Sequence, residues 1–139
     1  MVPFFVAVTD PDWFFFLKGA QSQEANLCLP TTVGFRALEP GQHVLFKLKS
    51  PHNAIAGGGI FISYERLSVE QAWTIFGNVN GTSSMKALRH KLFGTRWKSK
   101  STLQTQIGNI FLENTCFFDQ KDWIDIPSWK PNISRGKRY

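Results

Sequence analysis

Phe4-Phe5-Val6-Ala7-Val8-Thr9-Asp10-Pro11-Asp12-Trp13-Phe14-Phe15-Phe16-Leu17-Lys18-Gly19 carries two elements back to back. The run from Pro3 to Val8 is apolar, aromatic and β-branched, which suits a buried strand. Thr9-Asp10-Pro11-Asp12 then reads as a helix start. Asp10 can cap, Pro11 has the fixed backbone angle of a first helical position, and Asp12 favours the positive end of the helix. A short, very aromatic helix follows and stops at Gly19.

Outward from this pair, Asn26 to Leu29 is a short strand closed by Pro30, Thr31 to Gly34 is loop, and Glu39-Pro40-Gly41-Gln42 is a tight turn by composition. His43 to Lys49 and Ile55 to Leu67 are strands joined by the loop Ser50-Pro51-His52-Asn53. Ser68-Val69-Glu70-Gln71 is a capping-box pattern, and Val69, Ala72, Trp73 and Phe76 follow at helical spacing until Gly77. After a loop at 78–82, Ser84 caps a third helix with Met85, Leu88, Leu92 and Phe93 inward, Lys86, His90 and Lys91 outward, and Gly94 at its end. Thr95 to Thr105 is a polar, basic loop, and Ile107 to Leu112 with Thr115 to Phe118 form a closing hairpin or paired strands. The order is neither a regular βαβ alternation nor all-helical. It fits an α+β domain whose small, largely antiparallel sheet curls toward a barrel, flanked by about three helices.

A chain of 139 residues is one domain, placed here at 1–126, with 127–139 as a basic strap or linker. The 42% hydrophobic and 19% charged composition excludes a disordered or fibrous chain. Two cysteines, Cys28 and Cys116, allow neither a disulfide framework nor a cysteine zinc cluster, so a reducing, intracellular compartment is the default. The longest apolar stretches, Phe4 to Val8 and Trp13 to Leu17, are about five residues each, against the roughly 20 of a membrane span.

The net charge of +6 is unevenly laid out. Six cations between Lys86 and Lys100 and four between Lys130 and Arg138 stand without an acid among them, while the rest of the chain sums to −4. Concentrated basicity of this kind points to a polyanion, and its bland alternative is a solvated helix face with a basic tail.

Catalytic patterns are sparse. His43, His52 and His90 are isolated, and no nucleophile elbow, paired-cysteine or two-histidine metal motif occurs. No metal or cofactor is expected, and this chain is not expected to be an enzyme. Gly57-Gly58-Gly59 lacks the lysine of a phosphate loop and sits inside a strand pattern, which marks a bulge or a close backbone approach. The sequence does set aromatics beside polar and cationic groups near loops: Trp13, Phe35, Lys47, Lys49, Ser50 and Asn53 are of the types that stack on a nucleobase and bond its edge. Trp13 and Phe35 suit a hydrophobic core equally well.

Phe4 to Phe14, Phe35-Arg36-Ala37-Leu38-Glu39-Pro40-Gly41, Val44 to Asn53 and Ile55-Ala56-Gly57-Gly58-Gly59 together resemble the N-terminal module of bacterial HNH-type restriction endonucleases. That module is similar to the EVE branch of the PUA-like superfamily, whose relatives include YTH and SRA readers. Pro131 to Tyr139 resembles the segment leading into the nuclease domain of such proteins. Asn26-Leu27-Cys28-Leu29-Pro30 departs from the pattern, which carries aromatics before the proline.

The resemblance implies a PUA-like pseudo-barrel that takes a base flipped from duplex DNA, most readily a 5-modified cytosine, and directs an HNH endonuclease to it in a bacterial cytoplasm. Cys28 and Leu29 then join the base-pocket candidates. Arg36, Arg89, Lys91, Arg96, Lys98, Lys100, Arg135 and Lys137 are the phosphate-binding candidates. The implied partners are modified double-stranded DNA, the nuclease domain in the parent chain and a second copy in a homodimer, with no membrane. An RNA-binding PUA-like module is the alternative, and a small-ligand or interaction domain a third reading.

Overall fold

A computed structural model describes residues 4–32, 38–94, 104–126 and 137–138. Strand β1 (Phe4–Thr9) runs directly into helix α1 (Pro11–Gly19), as Thr9-Asp10-Pro11 dictates. Strands β2 (Glu24–Leu29), β3 (His43–Leu48) and the long β4 (Ala54–Ser68) follow. β4 passes without a loop into α2 (Val69–Phe76), because the capping box forms at Ser68: the Gln71 amide N–H donates to Ser68 Oγ at 3.1 Å and the Ser68 N–H to Gln71 Oε1 at 3.0 Å. A 3-10 turn at Gly77–Asn80 occupies part of the expected loop. Helix α3 (Met85–Phe93), capped by Ser84, β5 (Gln106–Phe117), and the two-residue strands β6 (Ile124–Asp125) and β7 (Lys137–Arg138) complete the chain.

The seven strands form a single mixed sheet in the order β2-β5-β4-β3-β1-β7, with β6 beside the start of β4. Among the described residues only β1 and β3 run parallel, Phe4 facing His43 and Thr9 facing Leu48. The sheet is therefore the expected α+β, largely antiparallel one. It curls without closing: β1 and β2, far apart in strand order, line one shared cavity.

Where a closing hairpin or paired strands were expected at 107–118 the chain forms one twelve-residue strand. The polar Glu113-Asn114 that imitates a turn is a bulge: Ile60 pairs with Glu113 and Gly58 with Cys116, so β5 carries an extra residue, and Asn114 takes the left-handed conformation at φ 51°. The glycine run lies opposite that bulge. A Cβ at Gly57 would overlap the Cys116 carbonyl, and one at Gly58 would sit 2.8 Å from the Val44 carbonyl oxygen, so β3, β4 and β5 approach closely only because these side chains are missing.

α1 buries Trp13, Phe14 and Leu17 against Phe46, Phe61 and Leu112 of the sheet. A second cluster of Val69, Ala72, Leu88, Phe93 and Ile107 locks α2 and α3 to the other end of β5. β7 pairs antiparallel with the outer edge of β1, Arg138 opposite Phe5 and Lys137 opposite Val6. No helix among the described residues is long and apolar enough to cross a membrane.

Candidate functional site

The unclosed seam between β1 and β2 holds a cavity of about 210 Å³, with α1 on one side and α3 on another. Its apolar walls are Val8, Trp13, Leu27, Leu29, Leu88 and Leu92, with Pro30 at the end of β2, and its polar groups come from Thr9, Asp10, Cys28, Lys49, Asn80 and Lys91.

Asp10 organises the charges. It stands at the N-cap position of α1, but its side chain makes no cap hydrogen bond, contrary to the expectation from sequence. The carboxylate turns to the cavity instead, where Lys49 Nζ donates to Oδ1 at 2.6 Å and Lys91 Nζ lies 3.8 Å from Oδ2. Lys49 reaches this point because β3 continues alongside β1 for one residue past its end, the Lys49 N–H donating to the Thr9 carbonyl at 3.2 Å.

Lys91 is the residue that the sequence pattern misplaces. Expected on the solvent face of α3, it lies three residues after Leu88 and next to Leu92, which puts it on the apolar face, and there it lines the cavity. Its ammonium is buried and makes no hydrogen bond. Burial lowers its pKa, and the Asp10 carboxylate opposes that shift only in part. A cation held out of water without an acceptor is costly, and such groups concentrate where a ligand completes them.

Beneath the cavity, three asparagines from distant elements interlock. Asn26 Nδ2 donates to Asn80 Oδ1 and to Asn109 Oδ1, both at 2.8 Å. Asn80 Nδ2 donates in turn to the Ala72 and Gly77 carbonyls, and Asn109 Nδ2 to those of Glu65 and Ile107. The Cys28 sulfur lies 3.4 Å from Asn80 Oδ1 and 3.5 Å from Asn109 Oδ1. Burial pushes the Cys28 thiol up to about 12, so it is a neutral wall group rather than a nucleophile.

Of the base-pocket candidates, the structure brings Trp13, Cys28, Leu29 and Lys49 to this cavity. Trp13 reaches it from the core: it is 2% exposed, its Nε1–H donates to the Asn26 carbonyl at 3.2 Å, and its ring meets Phe46 edge-on at 5.2 Å. Lys47, Ser50 and Asn53 are not among the lining residues: Lys47 sits within β3, where it alternates with the buried Phe46 and Leu48, and past Lys49 the chain leaves β1 for an exposed turn that carries Ser50 and Asn53, the latter with a φ of 45°. Phe35 lies outside the described residues.

Of the phosphate-binding candidates, Arg89 is half-buried on α3 and Lys91 lines the cavity, while the backbone of Lys137 lies on the far edge of β1. Arg36, Arg96, Lys98, Lys100 and Arg135 lie outside the described residues. Sequence reasoning passed over Thr9, Asn80, Leu88 and Leu92, and saw Asp10 only as a cap. The spacing of Leu88, Lys91 and Leu92 was the available signal for the α3 wall. No group of three or more potential metal-ligating side chains occurs among the described residues.

No protein-family model and no curated protein matches this chain. Among solved structures it is similar to the ASCH protein of Zymomonas mobilis, at 10% identity and a TM-score of 0.60 over 96% of this chain and 85% of that one. Two point variants of the same protein match as well, one at a TM-score of 0.60 and 10% identity over 96% of this chain and 88% of the other. The second gives 0.52 and 13% over 84% and 75%. ASCH domains have the PUA-like barrel-type fold, so the fold expected from the resemblance is the one found; its link to HNH restriction enzymes finds no counterpart in these comparisons.

Proposed function

We propose that this PUA-like domain is a nucleic-acid-binding module whose seam cavity receives one extruded base, and that in duplex DNA the base is a 5-modified cytosine. The observation that carries the reading is the cavity itself, small, walled by Trp13, Leu27 and Leu92, with Lys91, whose buried ammonium makes no hydrogen bond, among its lining residues. At about 210 Å³ it is smaller than the roughly 300–1,000 Å³ of sites for drug-sized ligands, and suits a single planar ring. Extrusion costs a few kcal/mol, which apolar contact with both ring faces and polar contact with the ring edge can offset. The basic stretch beginning at Lys86 supplies attraction to the flanking phosphates. In this reading the domain binds and does not cut, and addresses an attached nuclease to modified sites.

The test is fluorescence anisotropy on matched duplexes carrying cytosine, 5-methylcytosine or an abasic site at one position, with a single-stranded RNA of the same sequence as a fourth probe. The modified duplex is expected to bind tightest, by about 5- to 100-fold over plain DNA for one added group. RNA bound as tightly as the modified duplex, with no response to the methyl group, moves the assignment to RNA.

A further inference from the structure

We propose, building on that reading, that Lys91 and Asp10 form the edge reader of the cavity: Lys91 donates to a ring acceptor, Asp10 accepts from the neighbouring amino group, and a base whose edge is cationic or blocked is rejected. At 3.8 Å the Lys91–Asp10 pair is too long for a hydrogen bond, so the ammonium keeps its donors and Asp10 Oδ2 its lone pairs available to a third group. Lys49 occupies the other carboxylate oxygen and fixes its orientation. Both groups line the same cavity, whose remaining walls are largely apolar.

The ligand that completes this pair presents an acceptor next to a donor. Cytosine does so along its pairing edge, with the unprotonated ring nitrogen at position 3 beside the exocyclic amino group. A substituent at position 5 leaves both atoms free and falls to the apolar walls. A methyl at position 3 removes the acceptor and makes the ring a cation facing Lys91, so the electrostatics turn from attractive to repulsive.

3-Methylcytosine also separates edge reading from simple capture of a loose base. It cannot pair, so its extrusion costs less than that of cytosine. A cavity that only traps extruded rings binds a duplex with 3-methylcytosine better than one with cytosine; an edge reader binds it worse.

The experiment measures the affinity of the full chain and of its Lys91→Met and Lys91→Gln variants for duplexes carrying cytosine, 5-methylcytosine, 3-methylcytosine or an abasic site, after thermal melts confirm that each variant folds. For the unmodified chain the 3-methylcytosine duplex is expected to bind at least about 10-fold more weakly than the cytosine duplex. Lys91→Met, which keeps the stem and removes charge and donors, should reduce that gap to about twofold or reverse it, with Lys91→Gln in between. Equal binding of the abasic and cytosine duplexes overturns the base-binding reading. Base-dependent binding with 3-methylcytosine favoured, or rejected equally by Lys91→Met, leaves that reading standing and overturns the role of Lys91.

Discussion

Replacing Trp13 by alanine distinguishes an indole built into the core from one offered to a ligand. The ring is 2% exposed, packs edge-on against Phe46 at 5.2 Å and Phe117 at 6.3 Å, and donates its N–H to the Asn26 carbonyl. Truncation of a buried aromatic costs about 3–5 kcal/mol, and the weakened Asn26 carbonyl adds about 1. With an unfolding entropy of about 2.1 cal/mol/K per residue, the 139-residue chain loses about 3–4 °C of Tm for each kcal/mol, so Trp13→Ala should melt about 14–20 °C below the unmodified protein. That cost is a large part of the about 5–15 kcal/mol holding a typical domain together. Trp13→Phe keeps most of the ring and loses only the donor and some contact, for about 1–2 kcal/mol and a drop of about 3–7 °C. The assay is a thermal melt followed by circular dichroism, paired with anisotropy on the modified duplex for each variant that folds. A Trp13→Ala protein that melts within about 3 °C of the original yet loses its duplex affinity refutes the packing argument and makes the indole a free stacking surface.

Lys91→Met should raise the melting temperature by removing a buried charge with no acceptor, a gain of about 1–2 kcal/mol. Because the Lys91 pKa is lowered in the folded chain, the penalty is whole below that value and is relieved as pH climbs toward 10.5, so melts across this range should show the gain shrinking with pH. Cys28, with its thiol pushed up to about 12, should resist iodoacetamide at pH 8 while exposed Cys116 reacts, giving one adduct per native chain and two after denaturation by mass spectrometry. Asn26→Ala leaves the Asn80 and Asn109 side-chain oxygens to share the single weak S–H of Cys28 and should cost about 3 kcal/mol in chemical denaturation, where a loss under about 1 would show that the network relaxes around the gap. Gly81 has a φ of 84° and a Cβ there would overlap the Trp13 indole, so Gly81→Ala should cost at least about 2 kcal/mol by the same method.

What the sequence made legible was local. The Thr9-Asp10-Pro11 junction, the capping box at Ser68 and the cap at Ser84 each act over four residues or fewer, and each helix begins where those residues place it. Glu113-Asn114 misled because a bulge and a turn ask for the same residue types, and only the partner strand decides between them. Lys91 misled for a different reason: residue type argued for solvent, spacing from Leu88 argued for the interior, and the spacing prevailed, which leaves the ammonium buried beside the cavity. The part of the site that was not legible is the part built from distance. Asn26, Asn80 and Asn109 carry no common pattern, and Asp10 meets Lys49 and Lys91 only once β1, β3 and α3 have converged. Trp13 and Lys49 were singled out for their chemistry and do reach the cavity; Ser50 and Asn53, chosen on the same grounds, do not, because the turn after Lys49 carries them away.

The strand order also sets a timetable for synthesis. Among the described residues the sheet partner of β2 is β5, whose pairing residues lie about 80 to 90 positions further along the chain. A ribosome adding roughly 5–20 residues per second leaves β2, with Ala25 and Leu27 still seeking cover, unpaired for about 4–16 s, while β1, α1, β3 and β4 have already emerged. The exposed ladder of that waiting strand is the surface through which two nascent copies on one message would most readily find each other.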